Sequence, residues 1–319
     1  MRIVFMGTPQ AAVPTLQRCL SDGHEVVAVW TQPDRPSGRG HRVSFSPVKE
    51  FAVAHGLDVF QPKRVKNEEA RNLFASHDAD VAVVVAYGRI LPDHFLQTPR
   101  RGCINVHFSL LPLYRGAAPA NWAIVNGETD TGVTTMFIEP TLDTGPILLQ
   151  RKTPIGEKET APELMERLSE IGAELLGETL SGLDDLTPRP QRDQDATFAP
   201  ILKKEDGLID WSRSAFEIER CVRGFQPWPT AYTYFYSLGI SGSDPLGLKI
   251  WKAEALTISN PTVAIGAVLI AHGDDLLVNC GNETALRLIE VQPEARKRFR
   301  VRDFLNGTHV KVGDRFGST

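Results

Sequence analysis

The residues best suited to chemistry are Asn105 and His107, which interrupt an apolar run over residues 103–108. In a β-strand, residues two positions apart project from the same face, so the amide and the imidazole would share one side. Burying two polar side chains costs free energy unless they have hydrogen-bond partners or a function. Two interpretations stay open here. The pair could be a core histidine whose ring nitrogens are hydrogen-bonded, with an asparagine that forms a turn, or it could belong to a functional site at the carboxyl end of a strand.

A downstream carboxylate could complete such a site. The apolar run over residues 132–138 predicts another strand, and Asp143 follows it in a loop that contains Pro140 and Gly145. This strand could bring Asp143 to His107. The segment 109–119 contains two prolines and a glycine, which favour a shaped loop over a helix.

Together these motifs resemble the signature of the folate-dependent formyltransferases, and the resemblance extends over nearly the whole chain. The motifs that carry it are Asn105-x-His107, Ser109-Leu-Leu-Pro112, Arg115-Gly116 and Leu142-Asp143-Thr-Gly145. The segments from Thr197 and from Ile209 are similar to those of members that formylate a tRNA. The resemblance therefore implies transfer of the formyl group of 10-formyltetrahydrofolate to the α-amino group of methionine on initiator methionyl-tRNA, for translation initiation.

This reaction suggests a role for each polar residue of the motifs. Asn105 and His107 would donate hydrogen bonds to the tetrahedral oxyanion, and Asp143 would orient His107 and relay or accept the amine proton. The donor amide is already activated by the folate, so we expect no metal and no acyl-enzyme. Cys103 and Ser109 are then pocket or turn residues rather than nucleophiles.

The resemblance also implies a folate pocket. Its backbone contacts would come from Ser109, Leu110, Leu111 and Pro112. Tyr87, Gly88 and Ile90, at the end of the β-branched run 79–87, would lie beside the pteridine, although a helix-entry loop explains these three residues equally well.

Composition narrows the protein class. With 319 residues, the chain is long enough for roughly two domains, and 42% hydrophobic and 23% charged residues are ordinary for a globular protein. The four cysteines form no C-x-x-C pair, which argues against a disulfide framework or a zinc site. No apolar run is long enough for a membrane span, and no leader pattern is evident, so we expect a cytoplasmic protein.

The order of elements predicts an α/β fold. A strand, a helix and a second strand over residues 2–30 begin a parallel sheet, and the first turn holds only Gly7, so the dinucleotide fingerprint is missing. We expect a Rossmann-like parallel-sheet formyltransferase domain over residues 1–188 and a linker over residues 189–207. Short strands separated by Gly, Asn and Asp turns follow, and with the resemblance they imply an OB-like β-barrel domain that binds tRNA over residues 208–319.

Two locally basic segments could bind a nucleic acid although the chain has a net charge of −4. The loop 31–49 carries Arg35, Arg39 and Arg42, and the tail 286–319 has eight Lys and Arg against four Asp and Glu, among them Arg296, Lys297 and Arg298. Arg115 is a further expected substrate contact. On charge alone, the loop could equally be solvated surface, and the tail fits a solubilising surface segment better than an RNA contact.

The expected partners are initiator methionyl-tRNA and tetrahydrofolate, with no membrane and a monomeric chain. Two alternatives remain. One is a folate-dependent formyltransferase of an amino sugar or other small amine, for which the basic tail would be superfluous. The other is a non-catalytic RNA-binding protein, against which the Asn105, His107 and Asp143 set argues.

Overall fold

A computed structural model describes residues 1–37, 42–238, 245–261 and 263–317, which form two compact units. The first unit comprises Met1–Pro119, Asp130–Pro154 and Leu164–Pro200, and the second comprises Ala120–Thr129, Ile155–Glu163 and Ile201–Thr319. The predicted boundaries at residues 188 and 207 stay a prediction.

The described strands are β1 Arg2–Gly7, β2 Glu25–Trp30, β3 Arg35–Ser37, β4 Arg42–Ser44, β5 Val59–Phe60, β6 Val81–Val85, β7 Cys103–His107, β8 Arg115–Gly116, β9 Asp130–Phe137, β10 Ile147–Pro154, β11 Phe198–Ala199, β12 Ala231–Tyr236, β13 Leu246–Thr257, β14 Val268–His272, β15 Asp275–Cys280, β16 Thr284–Pro293, β17 Phe299–Arg300 and β18 Arg315–Gly317. The α-helices are α1 Val13–Ser21, α2 Pro47–Ala54, α3 Glu68–Ser76, α4 Asp93–Leu96, α5 Pro119–Asn126, α6 Ala161–Ser181, α7 Ala215–Gly224 and α8 Val301–Gly307. Within the described residues, no helix combines the length and apolar content needed to cross a bilayer.

The first unit is built on a seven-stranded sheet with the order β10-β9-β7-β6-β1-β2-β5. The pairs from β7 to β5 are parallel, whereas β9 runs antiparallel to both β7 and β10. All five residues of β6 are buried, as expected for an apolar strand that is covered on both faces. The 109–119 loop begins at the carboxyl end of β7. Because β9 is antiparallel to β7, it ends with Phe137 opposite Ile104, near the amino end of β7, so the loop after β9 must turn back to bring Asp143 to His107.

Most predicted elements are present, but the loop 31–49 is shorter than expected. β3 and β4 form a two-stranded antiparallel pair inside it, and α2 already begins at Pro47. The Ser46 hydroxyl accepts the backbone N–H of Lys49, and proline occupies the first turn, so this helix start has the usual capping chemistry.

The second unit contains a curled antiparallel sheet with the order β14-β15-β16-β13-β12-β18, with β17 paired to β16. Its two end strands meet through an antiparallel bridge between Ala267 and Arg315, and Val268 N–H donates to the Asp314 carbonyl at 2.8 Å. Val301 and Phe304 of α8 pack in its core. The predicted fold class, a Rossmann-like α/β domain followed by a small β domain, is confirmed. Neither α8 nor β18 was predicted, because the basic tail lacks a clear period.

The core of the first unit centres on Trp30, which is fully buried. Its ring makes edge contacts with Phe74 and Phe95 at centroid distances of 5.4 and 5.5 Å, and its indole N–H donates to His77 Nε2 at 3.1 Å. Aromatic pairs of this kind add to the free energy gained from burial.

We therefore predict that Trp30→Ala lowers the free energy of unfolding by about 3–5 kcal/mol, because it removes a fully buried side chain and leaves a cavity. The urea midpoint of the first unit's transition measures this loss. Phe198→Ala, at a side chain that is 70% exposed in the same unit, is the control and should shift that midpoint only slightly. Equal shifts for the two variants would contradict the central role of Trp30.

Candidate functional site

His107 ends strand β7 and is 6% exposed. Its Nε2 lies 3.0 Å from the backbone carbonyl oxygen of Tyr114. Because a carbonyl oxygen can only accept, Nε2 carries a hydrogen and donates it. The other ring nitrogen, Nδ1, faces the Asp143 carboxylate, with 3.7 Å between Nδ1 and Oδ2. The structure therefore brings His107 and Asp143 together.

Asn105 lies two positions before His107 on the same face of β7, and its backbone pairs with Val84 and Met136. The residue is half-buried. Among the described residues, no hydrogen bond to its side-chain amide is found, so that amide is available to a ligand.

Asp143 lies in the loop after β9 with a φ of +54°, in the left-handed region that non-glycine residues seldom adopt. Its carboxylate oxygen Oδ2 accepts the backbone N–H of Gly116 at 2.8 Å, and its side chain is 13% exposed. A backbone N–H thus fixes one carboxylate oxygen beside the imidazole.

Gly116 can lie against Ala199 because it has no side chain. Its φ is +131°, and a Cβ there would lie 2.3 Å from the Ala199 carbonyl oxygen. This close approach arises because β8 pairs in parallel with β11, so that Gly116 lies opposite Ala199. Only glycine fits both the backbone angle and the contact.

Arg115 is 4% exposed, and protein groups bind its guanidinium. Nε and Nη2 donate to Gln191 Oε1 at 3.1 and 2.9 Å, and Nη2 also donates to Asp193 at 2.9 Å. Nothing in the sequence pointed to Gln191, because a single glutamine in a proline-rich and charged stretch carries no motif. The role of Arg115 as a tRNA contact stays a prediction.

The segment 109–112 is held in shape by its own polar groups and by β9. The Ser109 hydroxyl donates to the Leu113 carbonyl at 2.6 Å, and the Thr134 hydroxyl donates to the Ser109 carbonyl at 2.7 Å. The Leu111 N–H donates to that same hydroxyl at 3.1 Å. Ser109 and Leu111 are buried, whereas Leu110 and Pro112 are half-buried. Its predicted contact with folate therefore falls on a preformed loop.

The three residues predicted beside the pteridine, Tyr87, Gly88 and Ile90, differ in their exposure to solvent. The Tyr87 ring lies in the core with Trp30, where burial raises the pKa of its hydroxyl to about 12 and leaves its oxygen without a partner among the described residues. Gly88 has a φ of +83°, and Ile90 is 68% exposed. The Tyr87 side chain points into the core, so only its backbone could face a ligand.

Cys103 is buried, and burial raises the pKa of its thiol to about 12. Its sulfur donates to the Phe95 carbonyl. Since the thiolate is the reactive form of cysteine, this residue is unsuited to nucleophilic attack.

The predicted RNA contacts fall in two regions. Arg35 and Arg42 belong to the paired strands β3 and β4, and Arg39 lies outside the described residues. Arg296, Lys297 and Arg298 are exposed in the turn between β16 and β17.

The Arg298 guanidinium in that turn makes two contacts within the second unit. It pairs with Glu290 and lies 4.9 Å from the Trp251 ring centroid. The second unit therefore presents a basic turn beside an aromatic side chain.

Comparison with known families agrees with this fold. The model described as "Formyl transferase" matches residues 1–180, and the model described as "Formyl transferase, C-terminal domain" matches residues 201–309. The chain therefore belongs to the formyl transferase family, and the resemblance noted in the sequence is confirmed.

Individual relatives narrow the comparison. The chain is 48% identical over 316 residues to the methionyl-tRNA formyltransferase of Caldanaerobacter subterraneus subsp. tengcongensis, which covers 98% of this chain and 99% of that protein. It is 50% identical over 319 residues to the methionyl-tRNA formyltransferase of Solibacter usitatus, with 99% of each covered. A solved N-formyltransferase from Helicobacter canadensis, in complex with folinic acid and dTDP-3-aminofucose, is 18% identical with a TM-score of 0.61 and covers 91% of this chain and 98% of its own. That structure shows the shared fold.

We predict that Gly116→Ala destabilises the first unit and impairs the site. The new Cβ would meet the Ala199 carbonyl, so β8 must separate from β11 and the N–H that binds Asp143 must move. We expect a melting temperature several degrees lower, since strain at one such residue costs about 1–3 kcal/mol and a clash adds to it. Gly56→Ala is the control: its φ is +68° and nothing lies within 4 Å of the position that the new methyl group would take, so the backbone penalty stands alone. Similar melting temperatures for the two variants would show that the Ala199 contact does not constrain Gly116.

Proposed function

We propose that this chain transfers the formyl group of 10-formyltetrahydrofolate to the α-amino group of methionine on initiator methionyl-tRNA. The observation that carries the proposal is the similarity to proteins of that activity, at 48–50% identity over 98–99% of this chain, which includes both units. The polar group at the end of β7 supplies the chemistry that such a transfer needs.

In this reaction the neutral amine attacks the formyl carbon, and the carbonyl oxygen becomes an oxyanion. We assign oxyanion binding to the Asn105 amide and to His107 Nδ1. Because Nε2 already donates to the Tyr114 carbonyl, His107 can donate from Nδ1 only when both ring nitrogens carry hydrogen. The Asp143 carboxylate, 3.7 Å from Nδ1, balances the positive charge of that form.

The attacking nitrogen must lose a proton as the C–N bond forms. Asp143 Oδ2 is bound to Gly116 N–H, and among the described residues no hydrogen bond to Oδ1 is found. Oδ1 is therefore the atom we assign to accept that proton. The oxyanion then re-forms the carbonyl as the bond from the formyl carbon to folate N10 breaks, N10 takes up the proton held by Asp143, and tetrahydrofolate leaves.

For the formyl donor we assign the segment 109–112, which lies between β7 and the Thr134 side chain of β9 and is preformed by hydrogen bonds. Leu110 and Pro112 offer apolar contact to the pteridine. Gly88 and Ile90 are assigned to the rim of the same pocket. A preformed loop lowers the entropy cost of binding a small ligand.

For the tRNA we assign the basic turn with Arg296, Lys297 and Arg298, together with Arg35, Arg39 and Arg42 on the first unit. Cationic side chains on a net acidic protein give local, salt-dependent contact with phosphates. In this proposal residues 1–188 form the catalytic domain and residues 208–319 the tRNA-binding domain.

Two further points belong to the proposal. The chain works as a monomer in this proposal, which is compatible with Asn105, His107 and Asp143 all coming from one unit of a single chain. Its place is the cytoplasm, where aminoacyl-tRNA is used in translation.

A small-amine acceptor is the second candidate, and it is favoured only by the fold shared with the H. canadensis structure, whose sequence is 18% identical. At this identity the comparison does not transfer substrate preference.

The first test is transfer of labelled formyl from 10-formyltetrahydrofolate to methionine on initiator tRNA, with methionine on elongator tRNA as the control. We expect transfer to the initiator and much less to the elongator. Absence of transfer to either tRNA would reject the proposal. Formylation of a dTDP-amino sugar in place of the tRNA would establish the second candidate.

We also predict that Asn105→Ala and His107→Ala each lower kcat by about 10²–10³, since each removes an oxyanion donor. Asp143→Asn should lower kcat by about 10²–10⁴, because an amide cannot accept the proton. Single-turnover formylation measures these losses. Cys103→Ala, on the same strand as Asn105, is the matched control and should stay within a few-fold of the native rate. Near-native turnover by any of the first three variants would remove that residue from the mechanism.

A further inference from the structure

We infer that Gln191 is a positioning residue for Asp143, and that the irregular segment 191–199 holds the catalytic carboxylate in register with His107. This inference rests on the proposed function, since it concerns the same site. It assigns a role to a residue with no motif of its own.

The Gln191 amide makes every hydrogen bond that its chemistry allows. Nε2 donates to the backbone carbonyls of Asp143 and Gly145 at 2.9 and 2.8 Å. Oε1 accepts from Nε and Nη2 of Arg115 at 3.1 and 2.9 Å. A primary amide has two N–H groups and two acceptor lone pairs, so these four bonds use all of them, and the longer approach of Nε2 to Met136 Sδ, at 3.7 Å, is a weaker additional contact. Because every donor and acceptor of the amide has a partner, the amide group can adopt only one orientation.

These bonds fall where the loop after β9 needs support. Asp143 has a left-handed φ of +54°, a conformation that persists in a non-glycine residue only when its surroundings hold it. Gln191 binds the carbonyl of Asp143 itself and the carbonyl two residues later, so it spans the turn. The side chain of Asp143 leaves this turn toward Gly116 and His107.

The other side of the carboxylate is fixed by the same segment. Phe198 and Ala199 pair with Arg115 and Gly116, and the Ala199 carbonyl accepts the N–H of Ala117 at 2.9 Å. The N–H of Gly116 is thereby aimed at Asp143 Oδ2. One segment thus sets both the backbone of Asp143 and the donor that binds its carboxylate.

Arg115 joins these two ends. It is adjacent to Gly116, and its guanidinium is buried. The guanidinium binds Gln191 at one end of the segment, and the backbone N–H of Arg115 donates to the Thr197 carbonyl, at 2.9 Å, near the other end. A shift of the Gln191 amide would therefore displace Asp143 relative to His107. Misplacement of a reacting group by about 1 Å can cost about 10²-fold in rate.

The test uses Gln191→Met, which keeps the length of the side chain and removes its hydrogen bonds, and Gln191→Glu, which still accepts from Arg115 but cannot donate to the two carbonyls. The first measurement needs no substrate. It is hydrogen exchange of the Gly116 amide, which donates to Asp143, compared with the Ala117 amide, which donates to Ala199. We expect exchange at Gly116 to become at least about tenfold faster in both variants, with little change at Ala117.

The second measurement is formylation kinetics. We expect kcat to fall by about 10- to 100-fold with the KM values for tRNA and formyl donor nearly unchanged, since the effect is on the reacting group. Gln226→Met is the matched control, because Nε2 of this glutamine also donates to two backbone carbonyls, those of Val222 and Trp251, in the second unit. It should keep the native kcat and the native Gly116 exchange.

An unchanged exchange rate at Gly116 would overturn the inference, since Gln191 would then have no local effect. An equal rise in the exchange rates of Gly116 and Ala117 would also overturn it, since the effect of Gln191 would then be a general structural one. Faster exchange at Gly116 with a native kcat would also overturn it. If the native chain formylates no tRNA, the proposed function fails, and the exchange measurement alone then decides whether Gln191 positions Asp143.

Discussion

The arrangement of the site depends on one hydrogen bond, from the backbone N–H of Gly116 to the carboxylate of Asp143. It joins the loop that follows β7 to the loop that follows β9. Without it, the carboxylate beside His107 would be free to rotate toward solvent. Because a backbone donor cannot change rotamer, it fixes the carboxylate more firmly than a flexible side chain would.

This hydrogen bond requires a glycine at position 116 and a left-handed backbone at residue 143. Residues from a segment about 50 to 80 positions further along the chain impose or support both. Ala199 approaches Gly116 so closely that a side chain has no room, and Gln191 binds the carbonyl of Asp143. The segment 191–199 therefore supports the site, although its only regular secondary structure is β11 and one short 3₁₀ turn over Asp193–Asp195. Irregular segments can be as well ordered as helices when side-chain amides satisfy the backbone.

Electrostatics differ between the proposed reacting centre and the surface. At the centre, two charges of opposite sign lie 3.7 Å apart when His107 is protonated, and both side chains are largely shielded from water. At the basic turn of the second unit, Arg296 and Lys297 are exposed, so their attraction for phosphate falls with salt. The proposed mechanism therefore depends on fixed geometry at the centre and on screened, adaptable contacts with the RNA.

From the sequence alone, strand and helix periods predict the fold class, and the resemblance of short motifs to the formyltransferases singles out Asn105, His107 and Asp143 as the residues proposed for catalysis. Alternation in 103–108 was enough to place Asn105 and His107 on one face. The antiparallel direction of β9, and the loop that turns back from its end to bring Asp143 to His107, are visible only in the fold. Three features emerge only in the folded chain: the Tyr87 side chain turns into the core, Arg115 is buried, and Gln191 spans the Asp143 turn. For Arg115 and Gln191 the physical reason is that a few side-chain hydrogen bonds join residues 48–76 positions apart, and such contacts leave no periodicity in the chain.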